Sequence, residues 1–173
     1  MVATNRSQEL LNALEDILVR EFRLSQNLSV LTKEERSALM VQDVTSLLTL
    51  VERKEALLDE LGQLDDSRRM IIQETSALLN IKNEIPTVAD IISVVDNDTS
   101  TRFSHLREGI LALMNDVRDL TQGNRVLAAS GLERVDAVQA FLLNLFRSPE
   151  GYRPPNAPVS RDSFVICEIN QII

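Results

Sequence analysis

The chain has 173 residues, 44% of them hydrophobic, which suffices for one domain or an elongated bundle with a buried core. Five Gly, five Pro, no Trp, one Tyr and five Phe are a poor supply for a sheet protein, whereas Leu, Ala, Glu, Asp, Arg and Gln in blocks at helical spacing indicate an all-α fold. Eighteen basic against twenty-six acidic residues leave a formal charge of −8, which argues against nucleic acid and anionic membrane surfaces as partners.

The opening stretch MVATNRSQELLNALED lacks the basic start and unbroken apolar core of a signal peptide. No run approaches the roughly 18 apolar residues of a spanning helix, so the expected location is the cytoplasm, without membrane insertion. Leu10, Leu14, Ile17, Leu24, Leu28 and Leu31 recur at three- and four-residue steps. They form one stripe of a first long helix over about residues 7–40, with Ser7 as N-cap. Thr32 followed by Glu35 has capping-box spacing, where this helix can bend or break.

A second long helix begins with Asp43 as N-cap and carries Leu47, Val51, Leu58, Leu61, Ile72 and Leu79 at heptad-related positions. Lys54 and Arg68 fall in line with Leu47, Leu61 and Thr75, and Glu21 is similarly placed on the first helix. Two readings stand there: basic stems lie on apolar surface while the charges reach water, or Glu21 meets Lys54. Pro86 then interrupts the helical pattern, and a short helix over about residues 87–95 is expected to cross the end of the bundle.

The third long helix, over about residues 100–146 with Thr99 or Ser100 as cap, has the strongest period in the chain. One face reads Phe103, Leu106, Ile110, Leu113, Val117, Leu120, Asn124, Leu127, Gly131, Arg134, Val138, Phe141 and Leu145. After Leu127 a second stripe of Leu132, Val135, Leu142 and Phe146 appears beside it, so the apolar surface becomes broader than one neighbour covers. Asn124 breaks the seam. An amide there either selects register and partner, with Gly123, Gly131, Ala128 and Ala129 making room for a visiting helix, or faces a solvated groove.

Prolines crowd the start of the remainder, which reads as an extended tail with Tyr152 near its beginning and the apolar ending FVICEINQII. The expected organisation is therefore an elongated antiparallel bundle or coiled coil of three long helices and one short one over residues 1–147, followed by a flexible tail over 148–173. Nothing in it points to catalysis, a cofactor or a metal. Cys167 and His105 are each alone, and the neighbours Glu34 and Glu35, or Asp65 and Asp66, diverge by about 100° on a helix.

The segment LLTLVERKEALLDELGQLDDSRRMII, with Lys54, Leu58, Leu61 and Arg68, and the later LTQGNRVLAASGLERV, with Leu120, Asn124, Leu127 and Leu132, resemble the FlgN-type flagellar export chaperones over about residues 8–152. The resemblance implies a cytoplasmic chaperone of the flagellar type III export system. Its partners would be the amphipathic C-terminal helices of hook–filament junction subunits, kept monomeric and delivered to the export gate. It would place Asn124, Leu127 and Leu132 in the subunit-binding helix and Tyr152 in a mobile segment used near the gate. Gly123 and Gly131, and the apolar ending, depart from the family pattern.

The surplus apolar surface fits a helix-in-groove binder anchored by Val135, Val138, Phe141, Leu142 and Leu145, with Gly131 allowing close approach. Two other readings remain. The same surface would also close a homodimeric coiled-coil scaffold, and a ligand-sensing bundle would need a polar core built from Asn124, Lys54, Arg68 and Glu21.

Overall fold

The computed structural model describes residues 2–146, which form four helices: α1 (Val2–Val41), α2 (Val44–Leu78), α3 (Val88–Ile92) and α4 (Asn97–Phe146). Among the described residues there is no strand. Contacts divide the chain into two units, Met1–Arg134 and Val135–Ile173. The first holds the bundle; of the second, the described part is the last turns of α4. The tail expected over 148–173, with Tyr152 and Cys167, lies outside the described residues, as does the boundary placed at 147.

Each helix end has a local cause. α1 begins before Ser7, so that residue is not its N-cap. It is also unbroken at Thr32, whose hydroxyl donates to the Leu28 carbonyl one turn back (2.7 Å) instead of restarting a turn. α1 stops where Gln42 adopts a left-handed φ of 58°, and Asp43 N–H bonds back to the Ala38 carbonyl (3.0 Å). Asp43 then caps α2, accepting from the Ser46 amide (3.0 Å) and hydroxyl (2.6 Å); these bonds hold its carboxyl below the usual carboxylate range.

α2 ends with Asn80 left-handed at φ 55° and Ile81 N–H on the Ser76 carbonyl (2.9 Å), the same closing pattern. Asp90 accepts from the Thr87 amide and hydroxyl and fixes the start of α3, which is shorter than expected. Asp96 caps α4, not Thr99 or Ser100. Its Oδ1 accepts from the amides of Thr99 and Asp98 one turn in, so the helix starts three residues early.

Side-chain pairs give the topology. In the α1–α2 hairpin, the residue numbers of the pairs Glu21–Arg68 and Glu35–Lys54 add to 89, so the helices are antiparallel. Between α1 and α4 the separation is nearly constant: Glu15–Arg102 and Ser29–Asp116 differ by 87 and Glu35–Asn124 by 89, so α4 runs parallel to α1. The short α3 makes that return possible by crossing one end.

The core lies in two clusters along α1. One packs Leu11, Leu14 and Leu18 against Ile72, Val88, Ile91 and Phe103, so α3 closes this end with two buried side chains. The other packs Leu31, Ala38 and Leu50, with Leu47 and Leu57 beside them. Between them α1 buries Glu21, Ser25 and Ser29 with Leu28, and Thr32 is buried beside Leu31. Close approach continues at Gly109, where an added Cβ would lie 2.6 Å from the Phe22 ring.

The expected line on α2 holds in part: Ile72 is buried and Leu47, Leu61 and Leu79 are half-buried, but Val51 and Leu58 are exposed, and Leu50 and Leu64 are buried with Thr75 and Ser76. α2 carries apolar residues on more than one stripe, and packing buries the Leu50 and Leu64 side chains in place of Val51 and Leu58.

Candidate partner-binding surface

The seam of α4 is real through Gly131. Phe103, Val117 and Asn124 are buried, and Leu106, Ile110, Leu113, Leu120, Leu127 and Gly131 are half-buried along the same line. After Gly131, Leu132, Val135, Val138, Phe141, Leu142 and Leu145 are all exposed, Phe141 by 62% and Leu145 by 61%.

Leu143 and Phe146 are exposed as well, Phe146 by 82%. Leu143 lies off both sequence stripes, so periodicity alone passed it over. At 100° per residue, the side chains from Leu132 to Phe146 cover an arc of roughly 200°, against about 100° for a face that meets one neighbour. Glu133, Asp136, Ala137, Ala140 and Asn144 complete the circle, and Arg134 and Gln139 fall within the arc. The arc is thus a mainly apolar face with a small-and-polar back, chemically suited to seat the apolar side of an amphipathic helix.

Asn124 does not belong to this surface. It is 4% exposed, and its Nδ2 donates to the Thr32 carbonyl (2.9 Å) and to Glu35 Oε2 (2.7 Å), both on α1. Its place as a contact for a visitor is corrected accordingly: the amide is consumed inside the bundle, and Oδ1 is buried without a partner among the described residues. Glu35 Oε2 also accepts from Lys54 Nζ on α2 (2.9 Å). Glu35, Lys54 and Asn124 therefore join all three long helices at one level.

The expected Glu21–Lys54 contact is replaced by two others. Lys54 pairs with Glu35, and Glu21 Oε2 receives Arg68 Nη1 at 3.1 Å; Arg68 is also bonded to Asp65. Lys54 and Arg68 side chains are only 15% and 28% exposed, so their charges are paired within the bundle, not extended to water. The hairpin register forbids the other choice. Glu21 and Lys54 have numbers adding to 75, two heptads or roughly 21 Å out of step. The turn at Gln42 and Asp43 sets that register.

Burial pushes the Glu21 carboxyl above the ordinary 4.5; Arg68 opposes this and Asp65 adds to it. A carboxyl raised in the folded state binds more protons folded than unfolded between the two values. Its contribution to stability is therefore complete below about pH 4.5 and is lost as pH rises through the folded value. Urea midpoints of the parent and Glu21→Gln, compared at pH 4.5 and pH 7, should show the parent gaining on the variant at the lower pH. A gap that is constant, or wider at pH 7, contradicts this assignment. The depressed Asp43, Asp90, Asp96 and Asp116 act in the opposite direction but cancel in the comparison.

His105 is exposed. Among the described residues no group of three or more His, Cys, Asp or Glu could hold a metal ion, and no helix is long and apolar enough to cross a membrane. A family model described as FlgN protein matches residues 1–158. No curated protein and no solved structure matches the chain.

Proposed function

The chain belongs to the FlgN family of flagellar export chaperones, and on that premise we propose that it binds amphipathic C-terminal helices of hook–filament junction subunits along the exposed end of α4. In this reading it acts in the cytoplasm, keeps those subunits monomeric and delivers them to the export gate, with the segment around Tyr152 engaging the gate. Leu132, Val135, Val138, Phe141, Leu142 and Leu145 form the client face; Leu127 and Gly131 are its half-buried inner edge.

The observation that carries the proposal is the unbroken helical run Val135–Phe146, whose large apolar side chains are all exposed. Single exposed leucines are ordinary on a protein surface, but a contiguous arc of this width is a binding feature. A client helix removes it from water and shields its own apolar stripe in the same step. That double burial explains how a chaperone prevents self-association of its cargo. Catalysis has no part in this function.

The test is co-purification of the chain with junction subunits, followed by titration of a peptide spanning a subunit's C-terminal helix. Saturable binding at one-to-one stoichiometry is expected, with new protection from hydrogen exchange confined to the end of α4. The homodimeric scaffold is the competing reading, since the same arc can close on a second copy. Sedimentation at rising concentration separates the two: a tight dimer that the peptide cannot open removes the proposal.

A further inference from the structure

We propose that a groove between α2, the 81–87 connection and the first half of α4 is a second docking site, for an acidic peptide segment of another protein carrying an aliphatic or aromatic anchor. The groove encloses about 520 Å³ and lies wholly within the unit Met1–Arg134. That volume is in the range of sites that accept a few side chains. The inference does not depend on the role given to the end of α4.

The apolar part is unusual for a connection. Ile85 is 79% exposed, although its backbone is ordered: its N–H donates to Asn83 Oδ1 (3.3 Å), Pro86 restricts the next φ, and Thr87 leads into α3. Across the groove Leu111 on α4 is 48% exposed, and the buried Leu18, Ile72 and Val88 also line it. The core uses neither Ile85 nor Leu111 in full, so this pair of side chains is left facing a common space.

Charge then selects the occupant. Three arginines, Arg68, Arg69 and Arg107, line the groove and no carboxylate does, in a chain where acids outnumber bases by 26 to 18. Arg68 is engaged by Glu21 and Asp65, and Arg69 by Asp65 alone (2.6 Å) with its side chain 73% exposed. Arg107 has no hydrogen-bond or ion-pair partner among the described residues. Two guanidiniums with unused donors beside an apolar floor fit carboxylates flanking an apolar side chain, because a guanidinium binds a carboxylate through two parallel bonds. A basic segment would meet like charge here and be rejected.

Fluorescence anisotropy of the full chain tests this with two labelled short peptides sharing a Leu-Leu-Phe core, one flanked by glutamates and the other by lysines. The glutamate peptide should bind saturably and the lysine peptide should not. Arg107→Glu should weaken the glutamate peptide by about tenfold or more and allow the lysine peptide to bind. Leu111→Ser, which leaves every arginine in place, should weaken it as well and decides the matter if Arg107→Glu loses helical circular dichroism. Phe141→Ala combined with Leu145→Ala should leave this binding unchanged. The proposal is overturned by equal affinity for both peptides, by no binding of the glutamate peptide, by binding that Leu111→Ser leaves intact, or by loss in the α4 double variant.

Discussion

Replacing Phe141 and Leu145 together by alanine is expected to abolish client binding while leaving the helical circular dichroism and the urea midpoint of the free protein unchanged. Both side chains already face solvent, so truncation removes little folded-state packing, and exposed substitutions of this kind fall within about 0.5 kcal/mol. Alanine is also the better helix former. In a complex the same side chains would be two of the large apolar anchors on the arc. Loss of two such anchors costs about 3–5 kcal/mol of binding, roughly two to four orders of magnitude in Kd. Titration calorimetry with the client peptide reads the affinity, and urea unfolding reads the fold. A double variant that binds as the parent does sinks the proposed client face; one that unfolds would make these side chains core.

Asn124→Asp should be the most damaging single change in the polar seam, with a loss of about 3–5 kcal/mol at neutral pH. The amide Nδ2 is a donor aimed at two acceptors, the Thr32 carbonyl and Glu35 Oε2. An ionised aspartate has no donor to offer, so three acceptors would converge in a buried site beside an existing carboxylate. Desolvation and the negative Glu35 would raise the new carboxyl's pKa in the folded state. The variant should recover stability as pH falls through that raised value, because the protonated acid again supplies a donor. Asn124→Leu should cost far less, about 1 kcal/mol, since it introduces no charge and leaves Glu35 paired with Lys54. Urea unfolding of both variants at pH 7 and pH 5 makes the comparison. If aspartate and leucine prove equally tolerated, the amide is not what joins α1 to α4 at this level.

These two results would separate the halves of the long helix α4. Up to Gly131 its apolar line is used inside the bundle, and the polar residues buried there and on α2 find partners on α1: Asn124 and Lys54 both meet Glu35, and Arg68 meets Glu21. A misaligned hairpin would bury these charges without partners, which costs more than any apolar mismatch. The side chains that a ligand-sensing core would have required thus already have partners within the bundle. After Gly131 the same periodicity continues, but its apolar side chains are exposed.

Much of this was legible from residues alone. Asp43 as a cap, the break before Pro86, the Phe103-to-Leu127 line and the surplus of apolar side chains after Leu127 follow from helical period and local hydrogen-bonding capacity, which are properties of neighbouring residues. Three features were not legible. Val51 and Leu58 looked like core and are exposed, because α2 is apolar on more than one stripe and only packing selects the one that turns inward. Glu21 takes Arg68, not Lys54, because partner choice depends on the hairpin register, and that is set by the turn at Gln42. Asn124 marks an internal joint and not a visitor's seat, because an amide's role depends on which acceptors the fold brings within reach from 89 and 92 residues away. Sequence determined which stretches are helical and where apolar surface is in excess; tertiary structure alone decided which faces meet, since that is a long-range contest among several locally equivalent stripes.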